Sequence, residues 1–371
     1  MNKKRARAGK TEQSSFDYSL LLITLCLVGF GMLMIYSASN YTARLHMGNA
    51  FYYVERQIFT VLLGTAAMFL MMKLDYHRLL KMALPLYGLS LLLLAAVFVV
   101  GTASHGQKRW IYIGSIGFQP SEFAKFVLII FLASICGAAG SMMKKWKGIL
   151  LVFLWMMPVA GMVMVTNLST GIIIMGIAFI IIFTASRQWL PFFVLMGLGG
   201  GFMGIFLKLA SYRVGRIEAW LNVETHPKGY QTRQSLYAIG SGGLFGRGYG
   251  KSIQKLAYIP EAHNDMIFSV ICEECGLLGA GIIAALFIFL IWRCLITANS
   301  APDIPGALLT MGVTAHLGLQ MLINIAVVTN SIPNTGIPLP FISYGGTSLI
   351  FLMCEIGIVQ NIAQQGKTYI S

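Results

Sequence analysis

The few charged side chains that stand in or beside long apolar runs are the residues here best placed to do chemistry. Asp265, in Pro260-Glu-Ala-His-Asn-Asp-Met-Ile-Phe268, marks the point where a polar segment meets a long apolar one. A carboxylate at that junction, facing a cation-rich segment, can take a proton from a hydroxyl as a general base. The same residue, or Asn264, can instead cap the following helix by accepting its free backbone N–H groups. Residue type leaves both roles open. Glu122 and Lys125 open another apolar run at i, i+3, on one helical face and within reach of each other. Either they neutralise one another, or they line a hydrated cavity with Arg109 and Gln119 from the preceding connection. An ionisable group inside a spanning helix is costly unless paired or hydrated, so each is a functional candidate.

Segment 211–264 carries Arg213, Arg216, Lys228, Arg233, Arg247, Lys251 and Lys255. Such a loop suits an anionic ligand such as a lipid pyrophosphate, or acidic headgroups. Within it, Gly240-Ser-Gly-Gly-Leu-Phe-Gly-Arg-Gly-Tyr-Gly-Lys-Ser252 resembles a phosphate-binding loop only superficially. A Walker pattern needs glycine where Phe245 stands, and no strand precedes it. The glycines instead permit tight turns or close backbone approach. Glu273 and Glu274 lie about 12 Å beyond Asp265 along a helix, and only Glu273 falls toward its side. Glu355 is a lone acid in the last apolar run. His263 and His316 have no metal-ligand spacing around them and read as packed or hydrogen-bonded residues. Cys26, Cys136, Cys272, Cys275, Cys294 and Cys354 fall in or beside apolar runs, which gives neither a disulfide framework nor a zinc site.

The elements that must position these groups are set by composition. Of 371 residues, 57% are hydrophobic and 11% charged, and the mean hydropathy is +0.73. Soluble domains carry about 25% charged residues, so a water-soluble core is excluded. Apolar runs of about 20 residues, each long enough to cross a bilayer, recur along the chain without the alternation of barrel strands. The fold class is therefore an all-α polytopic membrane protein with about ten transmembrane helices, at 18–38, 55–73, 79–101, 121–139, 148–166, 168–186, 190–210, 265–295, 306–330 and 342–363. A large extracytoplasmic loop, 211–264, joins helices seven and eight. Residues 1–16 form a basic tail, and 17–371 a single transmembrane domain that includes that loop. The first run reads as a helix rather than a signal peptide, because no small-residue cleavage site follows it. Lys and Arg cluster in the tail and in alternate short loops, which places both termini in the cytoplasm. The net charge of +14 comes with no nucleic-acid motif. Pro333-Asn-Thr-Gly-Ile-Pro-Leu-Pro-Phe-Ile-Ser-Tyr-Gly-Gly-Thr347 forms a rigid final outer connection, with Ser343 as a candidate cap for the tenth helix.

Four stretches, "GQKRWIYIGSIGFQPSEFAK", "QSLYAIGSGGLFGRGYGKS", "YIPEAHNDMIFSVICEECG" and "GIPLPFISYGGTS", resemble the SEDS family of shape, elongation, division and sporulation proteins over about residues 17–365. Gln234-Ser-Leu-Tyr-Ala, Gln254-Lys255, Glu261-Ala-His263 and Gln320 before Asn324 make the chain resemble the FtsW branch more than the RodA branch. The resemblance implies a bacterial cytoplasmic-membrane glycosyltransferase that polymerises lipid II at the outer face during cell division. It implies a class B penicillin-binding protein and other divisome proteins as partners. Asp265 falls on the family's essential acid. Arg109, Glu122 and Lys125 match charged positions of its central cavity, and His263, Ser343, Tyr344 and Gly345 match motif positions, while Trp110 matches a packing aromatic. One departure stands out: Val165-Thr-Asn-Leu-Ser-Thr170 places Asn167 where the family carries an acid.

The expected chemistry is an inverting transfer. Asp265 takes the acceptor's proton, while Arg109, Lys125, Arg213 or Arg216 stabilise the departing undecaprenyl pyrophosphate. No cofactor is evident. A divalent cation, Mg or Mn, could assist the leaving group, although no protein ligand cluster demands one. A RodA-like elongation polymerase, a sporulation polymerase, a lipid II flippase and a membrane scaffold are the alternatives.

Overall fold

Long runs of Leu, Ile, Val, Met and Phe can satisfy their backbone inside hydrocarbon only as helices, and the chain folds accordingly. The computed structural model describes residues 16–104, 107–113, 116–186, 188, 197 and 211–366. Among these, nine helices are long and apolar enough to cross a membrane, which makes the chain an all-helical polytopic membrane protein. In chain order the helices are α1 (Tyr18–Met47), α2 (Tyr52–Lys73), the short α3 (Tyr76–Lys81), α4 (Ala83–Val100), α5 (Pro120–Ala139), α6 (Trp146–Thr166) and α7 (Leu168–Ser186). They continue as α8 (Ser211–Leu221), α9 (Tyr230–Gly242), α10 (Ile267–Ser300), α11 (Ile304–Val328) and α12 (Thr347–Gln365). The seventh span expected from sequence, 190–210, lies outside the described residues.

The boundaries follow local chemistry. Asp17 caps α1 through the Leu20 N–H, and Asp303 caps α11 through Gly306. Two expected caps are absent. Helix α10 begins after Met266 with no side-chain cap, and α12 begins at Thr347 after Gly346. The connection between α4 and α5 also departs from the all-helical expectation, because Thr102–Ser104, Gln107–Ile113 and Ile116–Phe118 form a small antiparallel sheet, β1-β2-β3. Its alternating residues were too few to stand out beside the adjacent apolar runs.

Helices α5, α11 and α12 form the most enclosed part of the bundle, with α2 against α12, α10 against α11 and α7 against α11. The connections 101–119, 211–266 and 329–346 gather at one end, where residues of all three surround one cavity. At the opposite end His77 bridges Asp75 and Asp303 at 2.8 Å each, and the Tyr76 hydroxyl donates to Asp303 at 2.9 Å.

Segment 211–264 is more than a surface loop. Helix α9 runs back along the first turns of α10, and the glycine stretch after it reaches the level of Gly276, about 16 Å along α10 from Asp265. There α10 is interrupted, with Gly276 at φ +69°. The interrupted turn pairs with the glycine stretch: Arg247 and Gly248 N–H groups donate to the Glu273 and Glu274 carbonyls, and Leu277 and Leu278 donate to Gly243 and Leu244. A Cβ at Gly246 or Gly276 would collide with the facing backbone, so glycine is required on both sides. Non-helical backbone at this depth is tolerated because its polar groups are satisfied within the protein.

Two buried carboxylates complete the junction. Glu274 accepts from Ser37 at 2.6 and 2.8 Å, from Lys255 at 2.7 Å and from the Gly250 N–H at 2.9 Å. Glu273 accepts from Ser252 at 2.5 Å and from the Ile253 and Gln254 N–H groups. Lys255 Nζ also donates to Ser37 at 2.8 Å, which ties the loop to α1.

Candidate active site

At the loop-bearing end, side chains from β2, α5, α8, α9, α11 and the connections 243–266 and 329–346 surround a cavity of about 710 Å³. Its lining includes four cations, Arg109, Lys125, Arg216 and Lys228, and three acids, Glu122, Glu261 and Asp265. The structure thus brings together Asp265, Arg109, Glu122, Lys125, Arg216 and Tyr344. Arg213 opens α8, but its side chain is outside the described residues. His263 and Ser343 stand behind the wall rather than in it.

Asp265 precedes α10 on a strand of backbone that is firmly held. Asn324 Nδ2, from α11, donates to the Asp265 carbonyl at 2.7 Å and to the Ile337 carbonyl at 2.8 Å. One buried amide thereby joins the 265 and 337 segments. With Met266 at the helix boundary and no side-chain cap there, the Asp265 carboxylate faces the cavity instead of the helix end.

Ser343 and His263 brace that segment. Ser343 Oγ donates to the Asn264 carbonyl at 2.7 Å and accepts from the Leu339 N–H at 2.8 Å. The His263 ring lies 4.2 Å from Tyr53 and 5.5 Å from Tyr344, and its carbonyl accepts from the Tyr344 N–H at 2.9 Å. Burial pushes the His263 imidazole down to about 4, because a charged ring would lose its water. Burial also raises the Tyr344 phenol above its ordinary value. The ring of His263 is therefore neutral near pH 7 and acts as an aromatic wedge.

On the other wall, Lys125 Nζ lies 3.0 Å from Glu122 and donates to Gln320 at 3.4 Å. The pair both neutralises itself and lines the cavity, so the two sequence readings hold together. Arg109 Nε donates to the Thr166 carbonyl at 2.9 Å, which points the β2 connection into the bundle. Arg216 donates to the Asn334 carbonyl at 3.2 Å. Trp110 lines the cavity rather than packing behind it.

Asn167 also lines the cavity, and its Oδ1 accepts from the Thr170 N–H at 3.3 Å at the start of α7. An aspartate would accept the same bond, so this position serves as a helix cap for either residue. Glu355 gains a partner that sequence spacing did not reveal, His316 Nδ1 at 2.9 Å, with both side chains buried. Glu273 does not share the side of Asp265; it belongs to the α10 junction. Lys228, Gln231 and Asn334 are cavity residues that sequence reading passed over. Lys228 was one of several loop cations without distinction, and the two amides carried no signal in type or spacing. Among the described residues, no group of three or more His, Cys, Asp or Glu is arranged to hold a metal ion.

A family model described as Cell cycle protein, FtsW/RodA/SpoVE, matches residues 18–368. The chain belongs to this family. It is 38% identical to Stage V sporulation protein E of Bacillus subtilis (strain 168), with 96% of this chain and 99% of that protein covered. It is 36% identical to a probable peptidoglycan glycosyltransferase FtsW of Geobacter sp. (strain M18), over 94% and 96% of the two chains. Among solved structures it resembles a chain from work on structural coordination of polymerization and crosslinking by a peptidoglycan synthase complex, with TM-score 0.79, 27% identity and 95% and 98% of the two chains covered. The rod shape determining protein RodA of Thermus thermophilus matches with TM-score 0.70 and 28% identity, over 95% and 98% of the chains.

Proposed function

We propose that this chain is a peptidoglycan glycosyltransferase that polymerises lipid II, with Asp265 as general base. The observation that carries the reading is the Asp265 carboxylate facing a cavity that Arg109, Lys125, Arg216 and Lys228 also line. An acceptor sugar hydroxyl in that cavity attacks the anomeric carbon of the donor. The new glycosidic C–O bond forms as the bond to pyrophosphate breaks on the opposite face, so configuration inverts. The hydroxyl proton passes to Asp265, and the negative charge on the departing pyrophosphate is met by the cations. The reading assigns no protein-bound metal; Mg or Mn added to the reaction would act through the pyrophosphate oxygens.

Names among the relatives support the substrate class, and likeness to a synthase complex supports a class B penicillin-binding protein as partner. The proposal sets the cavity at the outer membrane face with both termini in the cytoplasm, in line with the Lys and Arg of the tail and of alternate short loops. Relatives named for sporulation and for FtsW stand at nearly equal identity, so the cellular role is read from where a deletion stops growth: at septation or during spore formation.

The test is lipid II polymerisation by the full chain in liposomes, alone and with a co-expressed class B penicillin-binding protein, for wild type and Asp265→Asn. Glycan strands from wild type and none from the variant support the reading. Equal product from both removes Asp265 as base, and lipid II crossing the bilayer without glycan product indicates a flippase.

A further inference from the structure

We infer that Gln231, on α9, is a positioning residue that holds Asp265 as a hydrogen-bond-accepting carboxylate in one orientation, and that Asn334 fixes which way Gln231 points. The inference rests on the reading of Asp265 as base. Gln231 Nε2 reaches Asp265 Oδ1 at 3.4 Å and the Pro260 carbonyl at 3.5 Å. On its other side, Gln231 Oε1 accepts from Asn334 Nδ2 at 3.2 Å. Asn334 Oδ1 in turn accepts from the Gly336 N–H at 3.1 Å.

The order of donors and acceptors in this chain is forced. A backbone N–H can only donate, so the Asn334 oxygen must face Gly336 and its NH2 must face Gln231. Gln231 must then present oxygen to Asn334 and NH2 to Asp265. The Pro260 carbonyl, which can only accept, demands the same orientation. Amide orientation is usually ambiguous from heavy atoms, but here it is fixed from both ends.

Gly336 sits in the left-handed region at φ +67°, and a Cβ there would lie 3.8 Å from Asp265 Oδ2. The turn that aims Asn334 therefore also forms the wall next to the other carboxylate oxygen. Arg216 donates to the Asn334 carbonyl at 3.2 Å, which secures the turn to α8. A donor aimed at one carboxylate oxygen favours the charged form and limits rotation of the group. Both effects serve a base that must be ionised before the acceptor arrives.

The experiment is the pH dependence of kcat and kcat/KM for lipid II polymerisation by the full chain in liposomes. It compares wild type with Asp265→Asn, Gln231→Leu, Gln231→Glu, Asn334→Ser and the Gln231→Leu/Asn334→Ser double variant. Losing the donor in Gln231→Leu is expected to move the acid limb up by about one pH unit and lower kcat near neutrality, with KM unchanged. Gln231→Glu, nearly the same shape, puts a like charge beside Asp265 and moves the limb further. Asn334→Ser can retain the turn to Gly336 but not the reach to Gln231, so it shifts the limb in the same direction by less. The double variant should be no worse than Gln231→Leu.

A purely structural role for Gln231 would lower the amount of active protein without this ordering of pH limbs. Unchanged limbs in both Gln231 variants, with Asp265→Asn inactive, overturn the inference and leave the base intact. Activity in Asp265→Asn removes the base, and the inference with it. If Gln231→Leu does not fold, the near-isosteric Gln231→Glu carries the test.

Discussion

Two of the regions that bury charge do so differently. Around Glu273 and Glu274 the carboxylates are enclosed by hydroxyls, backbone N–H groups and Lys255, at the foot of the α9 hairpin. Around Asp265 and the Glu122–Lys125 pair, side chains of both signs face a cavity of about 710 Å³. Buried charge alone marks both as candidate sites. Their surroundings separate them: Glu273 and Glu274 are turned into the protein, whereas Asp265 faces a cavity beside cations, where a carboxylate can exchange a proton with a ligand.

The sharpest way to break this comparison is to remove one acid from each region. Asp265→Asn is expected to lower polymerisation by about 10²- to 10⁴-fold with the thermal unfolding midpoint unchanged. Glu274→Ala should do the reverse in kind. It strands Lys255 as a buried charge, at a cost of about 3–5 kcal/mol, seen as a loss of folded protein in detergent extracts. If Glu274→Ala folds normally and Asp265→Asn does not, the two assignments are exchanged.

Cavity cations sharpen the same comparison. Arg216→Ala and Lys228→Ala are each expected to reduce kcat by about 10- to 100-fold, measured as glycan product per enzyme, with small effects on melting. Arg247, which lies 3.7 Å from Glu273 and is partly exposed, should matter less for turnover when changed to Ala, because it faces the junction rather than the substrate.

Smaller effects should appear in the wall behind the cavity. The His263 imidazole titrates near 4 in the folded chain, against 6.5 for an unhindered histidine. Between those values the unfolded chain binds the extra proton, so stability is full above about pH 6.5 and falls as pH drops toward 4, by up to about 3 kcal/mol. Melting temperature against pH should show that slope in wild type and lose it in His263→Phe. Smallest of all, Asn167→Asp should leave polymerisation within about twofold, since either side chain caps α7; a large gain would give that position a chemical role.

Much of the fold was readable in advance because a bilayer leaves little choice. Helix α7 begins and ends where the apolar run does, and the other described spans differ from expectation mainly where helices extend beyond the hydrocarbon-length window, as α1 does to Met47. The site was partly readable for the same reason: in so apolar a chain, Arg109, Glu122, Lys125 and Asp265 are exceptional by type. Other features were hidden. Ser343 resembled a helix cap but instead joins Asn264 to Leu339. The glycine stretch signalled close approach without naming its partner, which is the broken turn at Gly276.

The amino-acid sequence by itself determined that this chain crosses a membrane many times, and which few charges must be accounted for, because the cost of exposing polar groups to hydrocarbon acts residue by residue. Only the tertiary structure decided the partners of those charges. It set Glu355 against His316, Glu274 against Lys255 and Ser37, and Gln231 between Asn334 and Asp265. Hydrogen bonds and ion pairs act over about 3 Å, and residues 289 positions apart in sequence, such as Asn361 and Met72, come within that reach only when the helices pack.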